Sequence, residues 1–267
     1  MVGTKSQVSG TAGVQGDLWS ARARDWADVQ EDMVLPLFQG VLERSGITAG
    51  TRLLDVGCGA GRFVQLAAQR GAVVSGLDAA PGFVSLARER VPDADVRVGE
   101  MEDLPWTDAS FDVVTGFNSF QFAAKPVNAL REARRVAVAG AALFIATWGA
   151  PESCEAAGYL RAVGALLPAP PPGAPGPFAL SAPGALERFA VEAGLTPGEH
   201  LEVECTWSYA DLDTALRGLL STGPAVRALR EAGEDRARRA VIDAIAPFRT
   251  ARGGYRIENT FRYLVAR

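Results

Sequence analysis

The chain has 267 residues, 48% of them hydrophobic and 22% charged, and a formal net charge of −4. That balance fits a globular protein large enough for one α/β domain with added elements, and it excludes the broad basic face that a nucleic-acid partner bound through many phosphates requires. No apolar run nears the ~18 residues of a membrane span, and Cys58, Cys154 and Cys205 have neither zinc nor disulfide spacing, so no membrane partner is expected and a reducing cytoplasm is the expected location.

In chain order, residues 1–16 read as a flexible tail rich in Gly, Ser and Thr, without the apolar core of a signal peptide. Asp17 opens a helix whose Trp19, Ala23 and Trp26 recur at helical spacing. A second helical piece puts Leu35, Phe38 and Leu42 on one face, with Pro36 near its start and Gly46 as its stop. Strands and helices then alternate: "TRLLDVG", a helix ending at Gly71, "AVVSGLD", a helix with Pro81 in its first turn, "ADVRVGE", "FDVVTGF", a helix from Pro126 to Gly140, and "AALFIATW". Near-continuous apolar strands alternating with helices predict a parallel sheet covered on both faces.

After residue 148 the pattern changes. Residues 151–167 predict a helix, "PAPPPGAPGP" a stiff loop of polyproline character, and 181–195 a helix with Ser181 as its N-cap and Gly194 as its stop. In "LEVECTWSY" and "YRIENTFRYLV" apolar and polar residues alternate at period 2, which predicts an antiparallel pair with one face buried. Glu202 and Glu204 on one strand suit Arg256 and Arg262 on the other. Helical segments fill the interval between them. The organisation is a single domain over 17–267: a helical cap at 17–47, a core at 50–148, and cap insertions at 150–180 and 211–248.

The chemistry concentrates in "LLDVGCGAGRF". Gly57, Gly59 and Gly61 make G-x-G-x-G, one residue shorter than the dinucleotide fingerprint, and the Lys and Ser/Thr of a phosphate loop are missing. Asp78 ends the second strand, where an acceptor-only carboxylate suits the two hydroxyls of a ribose. His200 is the only histidine, so no multi-histidine metal site exists and no metal is expected.

With "VVSGLDAA", "VGEMEDLPWTDASFDVVTGFNSFQF" and "ALREARRVAVAGAALFIATW" following in order, the sequence resembles class I S-adenosylmethionine-dependent methyltransferases, in the ubiquinone/menaquinone-biosynthesis-like (type 11) branch. The resemblance covers residues 50–148 and, more loosely, the C-terminal pair. It implies a Rossmann-like, seven-stranded, mostly parallel sheet with an antiparallel C-terminal pair, S-adenosyl-L-methionine as cofactor, and methyl transfer to a small molecule. It implies that Asp55, Gly57, Cys58, Gly59 and Gly61 pass the methionine part, that Asp78 holds the ribose with Ala79 beside the adenine, that Glu100 and Met101 recognise the adenine, and that Asn118 lies near the transferred methyl. Glu100 departs from the Asp usual in the family. Cys58 is expected to be unreactive and Asp112 structural, and no residue is assigned as a general base. Two other readings remain at this point: a protein of the same fold that binds the cofactor without transferring methyl (a cyclase or regulatory module), and a nicotinamide-dependent oxidoreductase, against which the glycine spacing speaks.

Overall fold

A computed structural model describes residues 10–169 and 176–267. The seven strands are β1 (Arg52–Val56), β2 (Val73–Asp78), β3 (Asp95–Val98), β4 (Phe111–Phe117), β5 (Ala137–Trp148), β6 (Pro197–Tyr209) and β7 (Tyr255–Ala266). They form one sheet in the order β3-β2-β1-β4-β5-β7-β6. The first five are parallel. β7 runs antiparallel to both β5 and β6. Because side chains alternate along a strand, each strand feeds two cores. Leu53 of β1 enters one core, with Phe38, Phe63 and Val64; Leu54 and Val56 enter the other, with Leu130, Leu186 and Phe189.

The helices follow the strands. α1 (Ala12–Ser20) and α2 (Ala23–Asp25), prolonged by helical turns to Val34, lead into α3 (Leu35–Arg44). α4 (Arg62–Ala68) follows β1, α5 (Pro81–Arg90) follows β2, and α6 (Pro126–Val136) precedes β5. α7 (Ala157–Gly164) and α8 (Ala185–Glu192) precede β6. α9 (Leu212–Leu219), α10 (Gly223–Ala232) and α11 (Glu234–Ile245) lie between β6 and β7. α11 packs on α7, α9 and α10, and α1 packs on α10. Tyr159 of α7 donates its hydroxyl to the Leu219 carbonyl at 2.6 Å, which ties two of these helices together. No helix among the described residues is long and apolar enough to cross a membrane.

Several boundaries differ from the sequence expectations. The first helix starts at Ala12, not Asp17, so residues 12–16 of the expected tail are helical; residues 1–9 lie outside the described residues. Its buried residues, Gly16 and Leu18, rest on the core instead of extending into solvent. In α3 the buried face is Leu37, Phe38, Val41 and Leu42, with Leu35 only half-buried. α6 ends at Val136, and Gly140 sits in an irregularity of β5 with φ of 78°. There β5 advances from Ala137 to Ala142 while β4 advances only from Phe111 to Val113, so the strand bulges and the helix cannot continue.

The helix expected over 151–167 shortens to α7 because Cys154 bridges to Asn259 of β7 and the Asn259 carboxamide accepts from Ala156 N at 3.0 Å. Of the proline-rich loop, residues 170–175 lie outside the described residues. Ser181 caps no helix. Its hydroxyl donates to the Trp148 carbonyl at 2.9 Å, and Gly184, with φ of 71°, stands before α8. β6 begins at Pro197, so His200 is inside the strand. Alternation in β7 holds through Thr260 and then stops, with Phe261–Ala266 all buried. That half of β7 lies between β5 and β6, with α3 and α8 packed against it, so Arg262 is buried although the pattern puts it on the wet face. The register sets Arg262 opposite Glu202, whereas Glu204 faces Thr260 and Arg256 pairs with Glu258 on its own strand.

Candidate functional site

The chain order of strands reverses between β1 and β4, which opens a crevice at their carboxyl ends. The glycine turn lies at that crevice. Gly57, Gly59 and Gly61 have φ of 77°, 55° and 84°, a left-handed region that glycine enters without steric cost. Gly57 N and Cys58 N both donate to the Leu77 carbonyl, at 2.7 and 3.0 Å, and so fasten the turn to the end of β2. A Cβ on Gly61 would lie 2.8 Å from the Ala87 Cβ, so the turn and α5 pack backbone to side chain.

Asp78 follows directly. Its carboxylate accepts from Gly59 N at 2.9 Å and from Ala80 N at 2.8 Å, and burial pushes its pKa up to about 6. Asp55, 2% exposed, accepts from the Thr115 hydroxyl at 2.7 Å, and burial pushes it up to about 7 with help from the charges of Asp78 and Glu31. Cys58 is buried against Gly76, and desolvation raises its thiol far above the ordinary value, so it packs and does not react.

The remaining expected site residues come together less uniformly. Ala79 presents its carbonyl to Gly16 of α1, so closely that a Cβ on Gly16 would lie 2.2 Å from it. Glu100 accepts from Ala12 N at 3.0 Å and from Glu102 N at 3.3 Å, so it holds the amino end of α1. Met101 packs against the α6-side core. Asn118 adopts φ of 50°, rare outside glycine; its N–H donates to the Ala146 carbonyl at 2.9 Å, and its side-chain oxygen faces the Gln121 amide at 3.4 Å. Trp19 and Trp26 meet edge to face at 5.2 Å and pack with Phe83 over Ala80. His200 lies apart, its Nδ1 3.5 Å from Glu187.

Two further groups at the turn carried no sequence signal. The Ser119 hydroxyl is buried without a hydrogen-bond partner, and a Cβ on Gly57 would lie 3.1 Å from it. Glu31, 4% exposed, reaches the turn from the N-terminal cap. Its Oε2 meets Arg90 at 2.5 Å and its Oε1 accepts from Arg62 N at 3.4 Å. Burial raises its pKa. Thus three carboxylates border one turn, and among the described residues Arg90 is the one cationic side chain bonded to any of them. Such a site fits a cationic ligand, because burying uncompensated negative charge is costly.

These shifts carry a sign. Asp55 and Asp78 bind protons more tightly folded than unfolded, so the stability they confer is full below about pH 4 and is lost as pH rises through 6 and 7. The ligand-free protein is expected to melt at a lower temperature at pH 8 than at pH 5, and Asp55→Asn to flatten that slope. A melting temperature that climbs from pH 5 to 8 overturns the assignment.

Residues 54–145 match the family model described as a methyltransferase domain. That segment is a methyltransferase domain. Among curated relatives, a ubiquinone biosynthesis O-methyltransferase of Hahella chejuensis is 33% identical over 135 residues, 47% of this chain and 57% of that protein. The chain spans about half the length, or less, of the curated relatives it matches. A solved S-adenosylmethionine-dependent methyltransferase from Aquifex aeolicus superposes with a TM-score of 0.53 at 22% identity, over 69% of this chain and 92% of that one. The 4+2 cyclase SpnF superposes with a TM-score of 0.56 at 21% identity, over 86% and 80%. At these identities the superpositions establish the fold: a Rossmann-like, mostly parallel sheet with an antiparallel C-terminal pair.

S-adenosyl-L-methionine, the cofactor that the resemblance implies, carries a positive sulfonium and, on its methionine part, a positive ammonium and a negative carboxylate. The three carboxylates suit its positive charges, and the Ser119 hydroxyl, without a partner among the described residues, is a donor left for its carboxylate.

Proposed function

We propose that this protein transfers the methyl group of S-adenosyl-L-methionine to a small apolar or aromatic acceptor. The observation that carries the reading is the set of Asp55, Asp78 and Glu31 around one glycine turn with a single cationic partner. When bound, the cofactor supplies an activated methyl on a sulfonium, so the protein's work is alignment and exclusion of water. Asp78 receives the ribose hydroxyls, and its two backbone donors fix the carboxylate that does so. The glycines let the turn's backbone approach the methionine part. Ala79, Glu100 and Met101 border the adenine end, and Asn118, held by β5 through its N–H, borders the methyl end. Cap elements α1, α7 and α9–α11 shield the acceptor.

An apolar acceptor is supported by the aromatic cluster in which Trp148 of β5, Trp207 of β6 and Phe261 of β7 meet Phe178. Trp148 stacks on Phe261 at 4.6 Å and lies 5.6 Å from Trp207 and 5.7 Å from Phe178. The Trp207 indole N–H is buried without a partner, which leaves a donor for an acceptor oxygen. No residue is assigned as a general base; one is needed only where the acceptor must lose a proton.

The test is mass spectrometry of a metabolite extract incubated with protein and cofactor. Gain of one methyl on an aromatic or apolar metabolite supports transfer. Rearrangement of a metabolite without mass change favours the cyclase alternative, and no cofactor-dependent change overturns the reading.

A further inference from the structure

We infer that Glu31, brought in by the N-terminal cap, is a cofactor-binding residue that receives the ammonium of the methionine moiety. The inference rests on the cofactor reading above and adds a contact from outside residues 54–145.

Glu31 is delivered by the helical turns between α2 and α3 and comes to rest against the glycine turn. A Cβ on Gly59 would lie 3.3 Å from Glu31 Oε1 and 3.8 Å from Trp26 Nε1, so the cap stands directly against the turn and only a side-chain-free residue leaves the Glu31 carboxylate its place. Gly59 is also the residue whose N–H is held by Asp78. The two carboxylates thus meet one glycine, Asp78 at its N–H and Glu31 where its side chain would stand.

The oxygens of Glu31 are unequal. Oε2 is engaged by Arg90, which also donates to the Ala60 carbonyl at 3.0 Å. Among the described residues Oε1 has only the long contact to Arg62 N, and the Arg62 side chain is turned to Asp32 at 2.7 Å. An ionised carboxylate oxygen has two acceptor sites, so Oε1 keeps capacity for a further donor. Desolvation raises the pKa of Glu31 despite Arg90, which means that one cation does not fully offset its burial and a second would stabilise it. An ammonium supplies three donors and that second positive charge.

The test is calorimetric titration of the full chain with three compounds: S-adenosylmethionine, S-adenosylhomocysteine, and 5′-methylthioadenosine, which lacks the amino-acid part. Glu31→Gln keeps the shape and one acceptor oxygen but replaces the other with a donor NH2 and removes the charge. It is expected to weaken the first two at least tenfold and to leave 5′-methylthioadenosine within twofold of the wild type. Glu31→Asp keeps the charge with a shorter arm and is expected to show the same selectivity. Equal weakening of all three compounds makes Glu31 a purely structural residue and overturns the inference, as does unchanged affinity for S-adenosylmethionine. Binding of none of the three by the wild type overturns the cofactor reading itself, which distinguishes the two failures.

Discussion

Asp78→Ala is expected to weaken S-adenosylmethionine binding by about 100-fold or more. Hydrogen bonds to an ionised acceptor are worth about 1.5–3 kcal/mol each, and a carboxylate facing a ribose diol accepts two. About 3 kcal/mol corresponds to roughly two decades in affinity. The substitution also releases Gly59 N and Ala80 N, which the carboxylate now holds at 2.9 and 2.8 Å, so the turn loosens as the ribose contact is lost. Asp78→Asn separates the effects. It retains an acceptor for one backbone N–H and is expected to melt near the wild-type temperature while binding at least tenfold more weakly. Titration calorimetry on the three proteins reads both consequences. Wild-type affinity in Asp78→Ala would remove Asp78 from the site.

The same three carboxylates bear on which cofactor the turn accepts. In dinucleotide-binding folds the pyrophosphate sits at the amino end of the helix after the first strand, where free N–H groups and the helix dipole favour an anion. Here that helix is α4, and its first residue, Arg62, directs its N–H toward the Glu31 carboxylate. A protein anion therefore already stands where a pyrophosphate would be placed, and the charges of Asp78 and Glu31 add to the cost of ionising Asp55. A nicotinamide dinucleotide would bring like charge to this position. A sulfonium cofactor brings the opposite charge.

Much of this was readable from residue order. The parallel strands announce themselves as buried apolar runs between helices, and the seven strands fall where those runs and the C-terminal alternation put them. That Asp78 ends β2 beside the glycine turn was readable from the apolar run that precedes it and the glycines before it. What period and propensity do not carry is long-range competition for the backbone. Residues 151–156 have helical propensity, but β7 claims Cys154 and Ala156 through Asn259, some hundred residues away. Ser181 has the chemistry of a cap, but the Trp148 carbonyl takes its hydroxyl. Arg262 obeys alternation in sequence yet is buried, because a second layer of helices covers its face. Glu31 is the largest omission. In "VQEDMV" it reads as one more charged residue of a surface helix. Only the packing of the cap on the turn, through residues distant from it in the chain, makes it a buried anion.

That close packing sets the largest expected effect on stability, at Gly57. A Cβ there would lie 2.3 Å from the Ser119 Cβ, an atom fixed by backbone and unable to rotate away. The φ of 77° adds strain of its own for any residue with a Cβ. Left-handed strain costs about 1–2 kcal/mol and overpacking a further ~1–3 kcal/mol. Gly57→Ala is therefore expected to lose about 2–5 kcal/mol, a large share of the ~5–15 kcal/mol that holds a domain folded. Gly46→Ala isolates the first component, because Gly46 has φ of 65° but nothing within 4 Å of where its Cβ would stand. It is expected to lose only about 1–2 kcal/mol. Adding Ser119→Gly to Gly57→Ala removes the clash but not the strain, so the double variant should return to the Gly46→Ala level. Denaturant unfolding of the four proteins resolves these steps. If Gly57→Ala and Gly46→Ala lose the same stability, the turn has room that the Gly57–Ser119 approach denies it.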